Sequence, residues 1–536
     1  MHVTDRVGAG TVIATRLPSG RTAARLAWPA GLTVAALALY GCYLRLSGTQ
    51  RVTADGASQA LQAWDMLHGN WLLHGWTLTD VSFYTTELPQ YVLIEAADGL
   101  RQDVVHLAGA MTYTLLVLAA GLLARGRSTG RPGLVRLLVA CGIMLAPQPV
   151  NGVGILLTQP DHVGTMVPVL LCLLWVDRAP RRWYVPVLAG GALAWVQVAD
   201  RLTMTVAVLP LAAVCAFRAY QGIVRDREPL AARWPELSLG AAALAAIPVA
   251  MIATRVLASL GGYASRPLAN AFAPSASWPS HVVVTVQGIL ALYGSDVTGQ
   301  PFGVLSAVAL IHLAGLALAG WAVCRALRRF GRGEDLVTDV LTVGILVTLA
   351  AYLVSPLPTT IYSAREIVAV LPFGAVLAGR VLGDRLAALR LLPLACAVLA
   401  GYCVALLSGM AQPTRAAVGQ ELAGWLTTHH LTSGLASYAQ ANSVTLASGG
   451  AVQLRAPDWT RHGALRGAYA SRSSWFDPRL HDATFVVSTK ANGWGFWISY
   501  RQVTGAFGKP VHTYHYGGYT IWAWHENLLA RLHPGD

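Results

Sequence analysis

Ionisable residues cluster at the ends of apolar stretches in this sequence, and they carry what chemistry it can do. Asp55 stands in Thr53-Ala54-Asp55-Gly56, just after the first apolar run. Glu87 follows in Phe83-Tyr84-Thr85-Thr86-Glu87-Leu88-Pro89. Asp161-His162, Asp200-Arg201, Asp296 and Arg365-Glu366 lie beside later runs. A carboxylate next to hydrocarbon is expensive, so it has either a partner or a task. Helix-end solvation explains any one of these groups alone, and Asp200-Arg201 reads as a local ion pair at a hairpin tip. Together they describe a polar cavity at one face of a membrane, where a lipid-borne substrate can meet something outside. The Asp, Glu and His spacings specify no metal site, and Asp161-His162 is too short a signal for one. No glycine-rich phosphate cradle appears in the sequence.

The elements that must position these groups follow from composition. Of 536 residues, 54% are apolar and 12% charged, against about 25% charged in soluble domains. Apolar runs fall at 26–46, 104–124, 134–156, 162–177, 184–200, 202–218, 237–260, 302–324, 336–355, 366–383 and 391–410. Most approach the ~20 residues a helix needs to cross hydrocarbon. The fold class expected is therefore an all-α polytopic membrane domain of about eleven transmembrane helices, with a small C-terminal α/β (α+β) extracytoplasmic domain. The first run reads as an uncleaved signal anchor. All seven cysteines lie in apolar runs and read as small buried hydrophobes.

A net charge of +13 raises the question of nucleic acid, but the arginines are distributed as membrane topology requires. With residues 1–25 in the cytoplasm, one side collects Arg125, Arg127, Arg131 and Arg136, then Arg178, Arg181 and Arg182, then Arg218, Arg225, Arg227 and Arg233. Arg325, Arg328, Arg329 and Arg332 follow on that side, with Arg380, Arg385 and Arg390. The other side holds scattered residues such as Arg51, Arg101, Arg266 and Arg365. This alternation predicts a multi-pass protein of the cell membrane, in contact with its lipids and not with nucleic acid. The domains expected are a cytoplasmic segment 1–25, a membrane domain 26–410 with outer loops 47–103 and 261–301, and an extracytoplasmic domain 411–536. In the first loop, Ala60, Leu61, Trp64 and Leu67 share one face of a helix over 57–67, as in a helix lying on the membrane surface. In the tail an amphipathic helix is expected over 418–429. Strands are expected at 443–447, 451–454, 484–489, 496–500 and 519–524, with a hairpin turn at Gly517-Gly518.

The short first span, the outer Asp55, the helix after it and the Gly69-Asn70 turn resemble the opening of GT-C type membrane glycosyltransferases. Protein O-mannosyltransferases and aminoarabinose transferases are examples of that group. Ser363-Ala364-Arg365-Glu366-Ile367-Val368-Ala369-Val370-Leu371-Pro372-Phe373-Gly374, running on to Gly379-Arg380, is similar to a late outer-loop segment of the same group. The tail segments Gly434-Leu435-Ala436-Ser437-Tyr438 and Thr445-Leu446-Ala447-Ser448-Gly449-Gly450 resemble the C-terminal domains of bacterial members. The resemblance implies a transferase moving a sugar from a polyprenyl-phosphate donor to a protein, lipid or wall-polymer acceptor. Asp55 would be the catalytic base or acceptor-orienting group, and Arg365 would meet the donor phosphate. Glu87, Asp161, His162 and Glu366 would bind substrate. No cofactor is specified, and a divalent cation stays open. Many members carry two adjacent acidic residues where this chain has Asp55-Gly56. A lipid or glycolipid transporter, or a non-catalytic assembly protein of the cell envelope, are the alternatives. The lack of an internal repeat and the scarcity of mid-span charges speak against transport.

Overall fold

The computed structural model describes residues 20–158, 161–179, 182–265, 271–296, 303–332, 335–388, 391–460, 463–467, 469–489 and 497–533. Arg6, Arg16, Arg181, Arg266 and Arg390 lie outside these residues. Helices dominate up to residue 410. They are α1 (Gly20–Ser47), α2 (Ala54–Leu67), α3 (Leu88–Asp98), α4 (Val104–Arg125), α5 (Gly130–Met144), α6 (Asn151–Leu156), α7 (Val163–Arg178) and α8 (Val185–Ala199). After them come α9 (Leu209–Tyr220), α10 (Trp234–Ser259), α11 (Trp278–Leu292), α12 (Val304–Arg329), α13 (Leu336–Val354), α14 (Val370–Ala388) and α15 (Leu392–Met410). Single π-turns flank α9 at Met204–Val208 and Gln221–Arg225, and a 3-10 helix, Ile361–Ile367, precedes α14. Prolines 89, 186, 210, 235, 279 and 393 open helices in their first turn. There the missing N–H has no intrahelical partner to lose.

Seven described helices are long and apolar enough to cross a bilayer, or eight if the 3-10 helix and α14, bent by 57° at their junction, form one span. The chain is a multi-pass membrane protein. Fewer helices meet this length test than the about eleven expected spans, because several runs are broken or short. The run at 134–156 splits after Met144. Pro147 and Pro149 remove two donors there, and α6 restarts after Val150 at φ 77°; proline inside a helix costs both a bond and a clash. α5, α7 and α8 have 15, 16 and 15 residues, a rise of about 24 Å or less. The expected outer loop 261–301 instead contains α11, a further apolar helix of 15 residues.

The face of helix α2 expected to lie on the membrane surface is packed against protein. Gly56 through Ala63 and Met66 are buried, because α3 covers one side of the helix and a tail helix covers another. Close helix approach elsewhere depends on small residues, as in many membrane bundles. Gly379 and Gly383 of α14 face Arg136 of α5, and a Cβ at either would lie 2.5 Å from an Arg136 atom.

The tail contains α16 (Gln420–Thr428), α17 (Tyr438–Ala447) and α18 (Tyr500–Phe507). The expected strand at 443–447 is therefore part of a helix. Of the expected strand at 496–500, Phe496 lies outside the described residues and Tyr500 opens α18 behind a Ser499/Gln502 capping box. A hydrogen-bonding cap decided the second of these segments, whereas α17 opens at Ser437 with no side-chain cap bond. Strands β1 (Trp76–Leu78) and β2 (Ala264–Ser265) come from the segments between α2 and α3 and between α10 and α11. The tail adds β3 (Ser433–Leu435), β4 (Gln453–Arg455), β5 (Asp458–Trp459), β6 (Ala464–Leu465), β7 (Ser471–Arg472), β8 (Phe485–Thr489), β9 (His512–Tyr516) and β10 (Tyr519–Ala523). Its main sheet runs β4-β3-β8-β10-β9. Along β8, Phe485 and Val487 pack with α16 and α17, while Val486 faces Val503, Phe507 and Trp524, the two-residue alternation of a sheet covered on both faces. Gly517 and Gly518, at φ 52° and 85°, make the tight turn between β9 and β10. A smaller sheet, β2-β1-β7, ties the tail to both of these segments.

Candidate active site

Four short segments meet where helices begin or end, and each is fixed locally. Thr53 is extended, and its Oγ1 accepts from the Gly56 N–H at 3.1 Å. This N-cap puts Asp55 in the first turn of α2, where the helix dipole favours a negative charge. His162 sits in the left-handed region (φ 50°) at the start of α7. Asp200 ends α8 and accepts from Leu202 N–H at 2.9 Å. Arg365 and Glu366 belong to the 3-10 helix, which Thr360 and Ser363 cap reciprocally.

Arg365 is the hub. Its Nη1 lies 3.2 Å from Asp161 Oδ2 and 3.6 Å from Asp55 Oδ2, and its Nε lies 3.6 Å from Glu366 Oε1. Asp161 also accepts from Gln59 of α2 at 3.0 Å. Behind this group His162 is held between two carboxylates, with Nδ1 2.7 Å from Asp200 Oδ2 and Nε2 3.2 Å from Glu366 Oε2. Two acceptors on two ring nitrogens ask for a proton on each, which makes the ring a second cation. Thr165 Oγ1 donates to Asp200 at 2.8 Å, and the Thr165 N–H donates to Glu87 Oε1 at 3.2 Å. Glu87 is fully buried and also accepts from the Thr86 hydroxyl. Burial pushes Glu87 up to about 8 despite that hydroxyl, with Asp200 and Asp161 adding to the rise. Burial lifts Asp161 to about 6 while Arg365 pulls it down. The balance is set by desolvation against opposite charge.

These groups line a cleft of about 540 Å³ that opens to solvent. Asp55, Ser58, Gln59, Gln62, Asp161, His162, Arg365 and Glu366 supply one part of its wall, and Thr79–Phe83 and Tyr469 supply the rest. Glu87 lies behind His162 and not in the cleft wall. Asp200 turns to His162, so the expected local pair with Arg201 is not formed. Asp296 lies elsewhere: Gln148 donates to its carbonyl at 2.6 Å and Asn151 to its carboxylate at 3.2 Å. Sequence reasoning missed Gln59, Thr165, Tyr438 and Tyr469 as site residues. Tyr438 OH donates to Asp55 Oδ1 at 2.8 Å across 383 residues, a distance no local pattern reveals.

Helices in this order, a charged cleft at one pole and a tail of mixed helix and sheet match the fold of ArnT, a GT-C fold. ArnT from Cupriavidus metallidurans in its apo state is similar over 96% of this chain and 100% of its own, with TM-score 0.54 and 12% identity. ArnT bound to undecaprenyl phosphate matches over 93% and 98%, with TM-score 0.53 and 13% identity. The Archaeoglobus fulgidus oligosaccharyltransferase, in a complex with Zn and sulfate, matches over 85% of this chain and 67% of its own, with TM-score 0.48 and 13% identity. At such identities the likeness is one of fold. No family profile matches the sequence, and no curated protein matches it.

Proposed function

We propose that this protein is a membrane glycosyltransferase that moves a sugar from a polyprenyl-phosphate donor to an acceptor on the extracytoplasmic face. The observation that carries the reading is Arg365 placed between Asp55 and Asp161 at the cleft. The fold shared with ArnT, a protein that binds undecaprenyl phosphate, supports it. In the proposed step the acceptor oxygen attacks the sugar's anomeric carbon, and Asp55 takes the acceptor proton. The bond from that carbon to the phosphate oxygen breaks, and its electron pair leaves with the polyprenyl phosphate. Arg365 meets the charge that grows there. Its pairs to Asp55 and Glu366, at 3.6 Å, are long enough to exchange for phosphate oxygens. Asp161, His162 and Glu366 bind sugar hydroxyls or hold Arg365, and Glu87 fixes the floor through Thr165. Residues 26–410 form the membrane part, and 411–536 cap the cleft from outside and contribute to acceptor choice. Among the described residues no group of three or more His, Cys, Asp or Glu is arranged to hold a metal ion, and Arg365 serves as the cation in the step as written.

The test is transfer by the purified protein in nanodiscs, with radiolabelled polyprenyl-phosphate sugars and candidate acceptors, with and without chelator. Asp55→Asn is expected to lose about 10²–10⁴-fold in turnover, and Arg365→Ala about 10²–10³-fold. Wild-type protein that neither consumes nor binds any such donor would move the reading to transport or assembly.

A further inference from the structure

Asp55 reaches its place with help from a part of the chain that shares no span with it. Tyr438 is the first residue of α17, which leaves the tail sheet directly from β3. The turn between them is pinned from both sides: Ala436 N–H donates to Arg455 O at 2.9 Å, and Trp459 Nε1 donates to Ala436 O at 3.3 Å. Helix α17 packs on α2, so the Tyr438 hydroxyl meets Asp55 Oδ1 at 2.8 Å. Its ring stands edge-on to Tyr469 of the cleft wall, with centroids 5.1 Å apart. Burial and the nearby Asp55 charge raise the Tyr438 phenol well above its ordinary range, so the hydroxyl keeps its proton and donates. Two further contacts seat the tail on this helix and on the strand that follows it. Arg472 Nη1 lies 2.8 Å from Asp65 Oδ1, and β7 pairs with β1 beside it.

From this geometry we infer that Tyr438 is a positioning residue for the transfer step: the tail supplies the hydroxyl that fixes the Asp55 carboxylate. The inference rests on the transferase reading above. Tyr438 holds Oδ1 and Arg365 faces Oδ2, which sets the carboxylate plane in two directions. Among the described residues, the carboxylate without that hydroxyl is held only on the arginine side, and that partner is the one the donor phosphate competes for. The tail therefore acts on the chemistry as well as on acceptor choice. A misplacement of about 1 Å at a reacting group costs on the order of 100-fold in rate.

The experiment uses the full-length protein in nanodiscs with the radiolabelled donors. Tyr438→Phe keeps the ring and its contact with Tyr469. It is expected to lower kcat about 10- to 100-fold, with KM for donor and acceptor within about twofold of wild type. Arg472→Met, far from the reacting atoms, loosens the seat of the tail and is expected to lower kcat by a smaller factor. In the Tyr438→Phe background that factor should shrink towards one, because both changes act through a single bond. Unchanged kcat in monodisperse Tyr438→Phe, or fully multiplicative effects of the two substitutions, would overturn the positioning role while leaving the transferase reading intact. A wild-type chain that consumes no donor would instead remove both.

Discussion

Glu87 illustrates what a single buried acid does to this protein. Its carboxyl is removed from water behind His162 and holds its proton up to about pH 8, whereas an unfolded glutamate releases it near 4.3. Between those values the folded chain binds more protons than the unfolded one. The stability of the folded state therefore falls as pH rises from about 4 to about 8, and levels off above that. Glu87→Gln cannot ionise and keeps an oxygen for the Thr165 N–H. Its unfolding midpoint relative to wild type should rise steadily between pH 5 and pH 8, by a few degrees in all. Thermal melts in detergent at pH 5, 6.5 and 8 would measure this, and a difference constant across pH would refute the assignment. Charges near apolar runs were the residues the sequence made legible, because their cost is a local fact. Their partners were not. Asp200 looked committed to Arg201 next door, yet it bonds to His162 and Thr165, since backbone direction at the end of α8 decides which neighbour it meets.

At the scale of elements, α2 shows how tightly the reacting group is built in. A Cβ on Gly56 would lie 2.7 Å from Val105 Cγ1 of α4, so the helix start rests directly on α4. This accounts for the single acidic residue here: a second carboxylate after Asp55 would need the space Val105 occupies. Gly56→Ala should therefore push α2 away from α4, costing about 1–3 kcal/mol from overpacking and about tenfold or more in transfer from the displaced Asp55. Transfer assays beside thermal melts would check both numbers, and wild-type turnover by Gly56→Ala would show that α2 absorbs the shift. Helix α2 itself was legible from its apolar spacing, and so was the tail hairpin from Gly517-Gly518. The covering of α2 by α17 was not, because α17 has no clear apolar face; most of its side chains are buried, including the polar Gln440, Asn442 and Ser443. Nor was the restart at α6, where two prolines interrupt a run that reads as one span.

Across the whole molecule two poles separate. Helix α4 starts at Val104 beside Gly56 and runs 22 residues to Arg125, a rise of about 33 Å against a hydrocarbon thickness of about 30 Å. The cleft lies at its start. Its far end is an ion-pair belt in which Arg380 bonds Asp177 at 2.8 Å, Asp335 at 2.9 Å and Leu123 O at 2.8 Å. Arg136 pairs with Asp384 nearby, and Arg218 approaches Asp339. The charge pattern of the sequence and the three-dimensional grouping thus pick out the same face, although neither fixes how many helices cross. Arginine-rich faces stay in the cytoplasm, so the cleft and the tail should face outwards. Alkaline phosphatase fused after residue 536 should then be active, because it matures only outside the cytoplasm. A fluorescent protein inserted after Arg332, in the connection between α12 and α13, should be bright. The reverse pattern would turn the molecule over and place the cleft on the cytoplasmic side. Asp55 would then have to find its acceptor and its lipid donor in the cytoplasmic leaflet, and transfer should be sought in vesicles of that orientation.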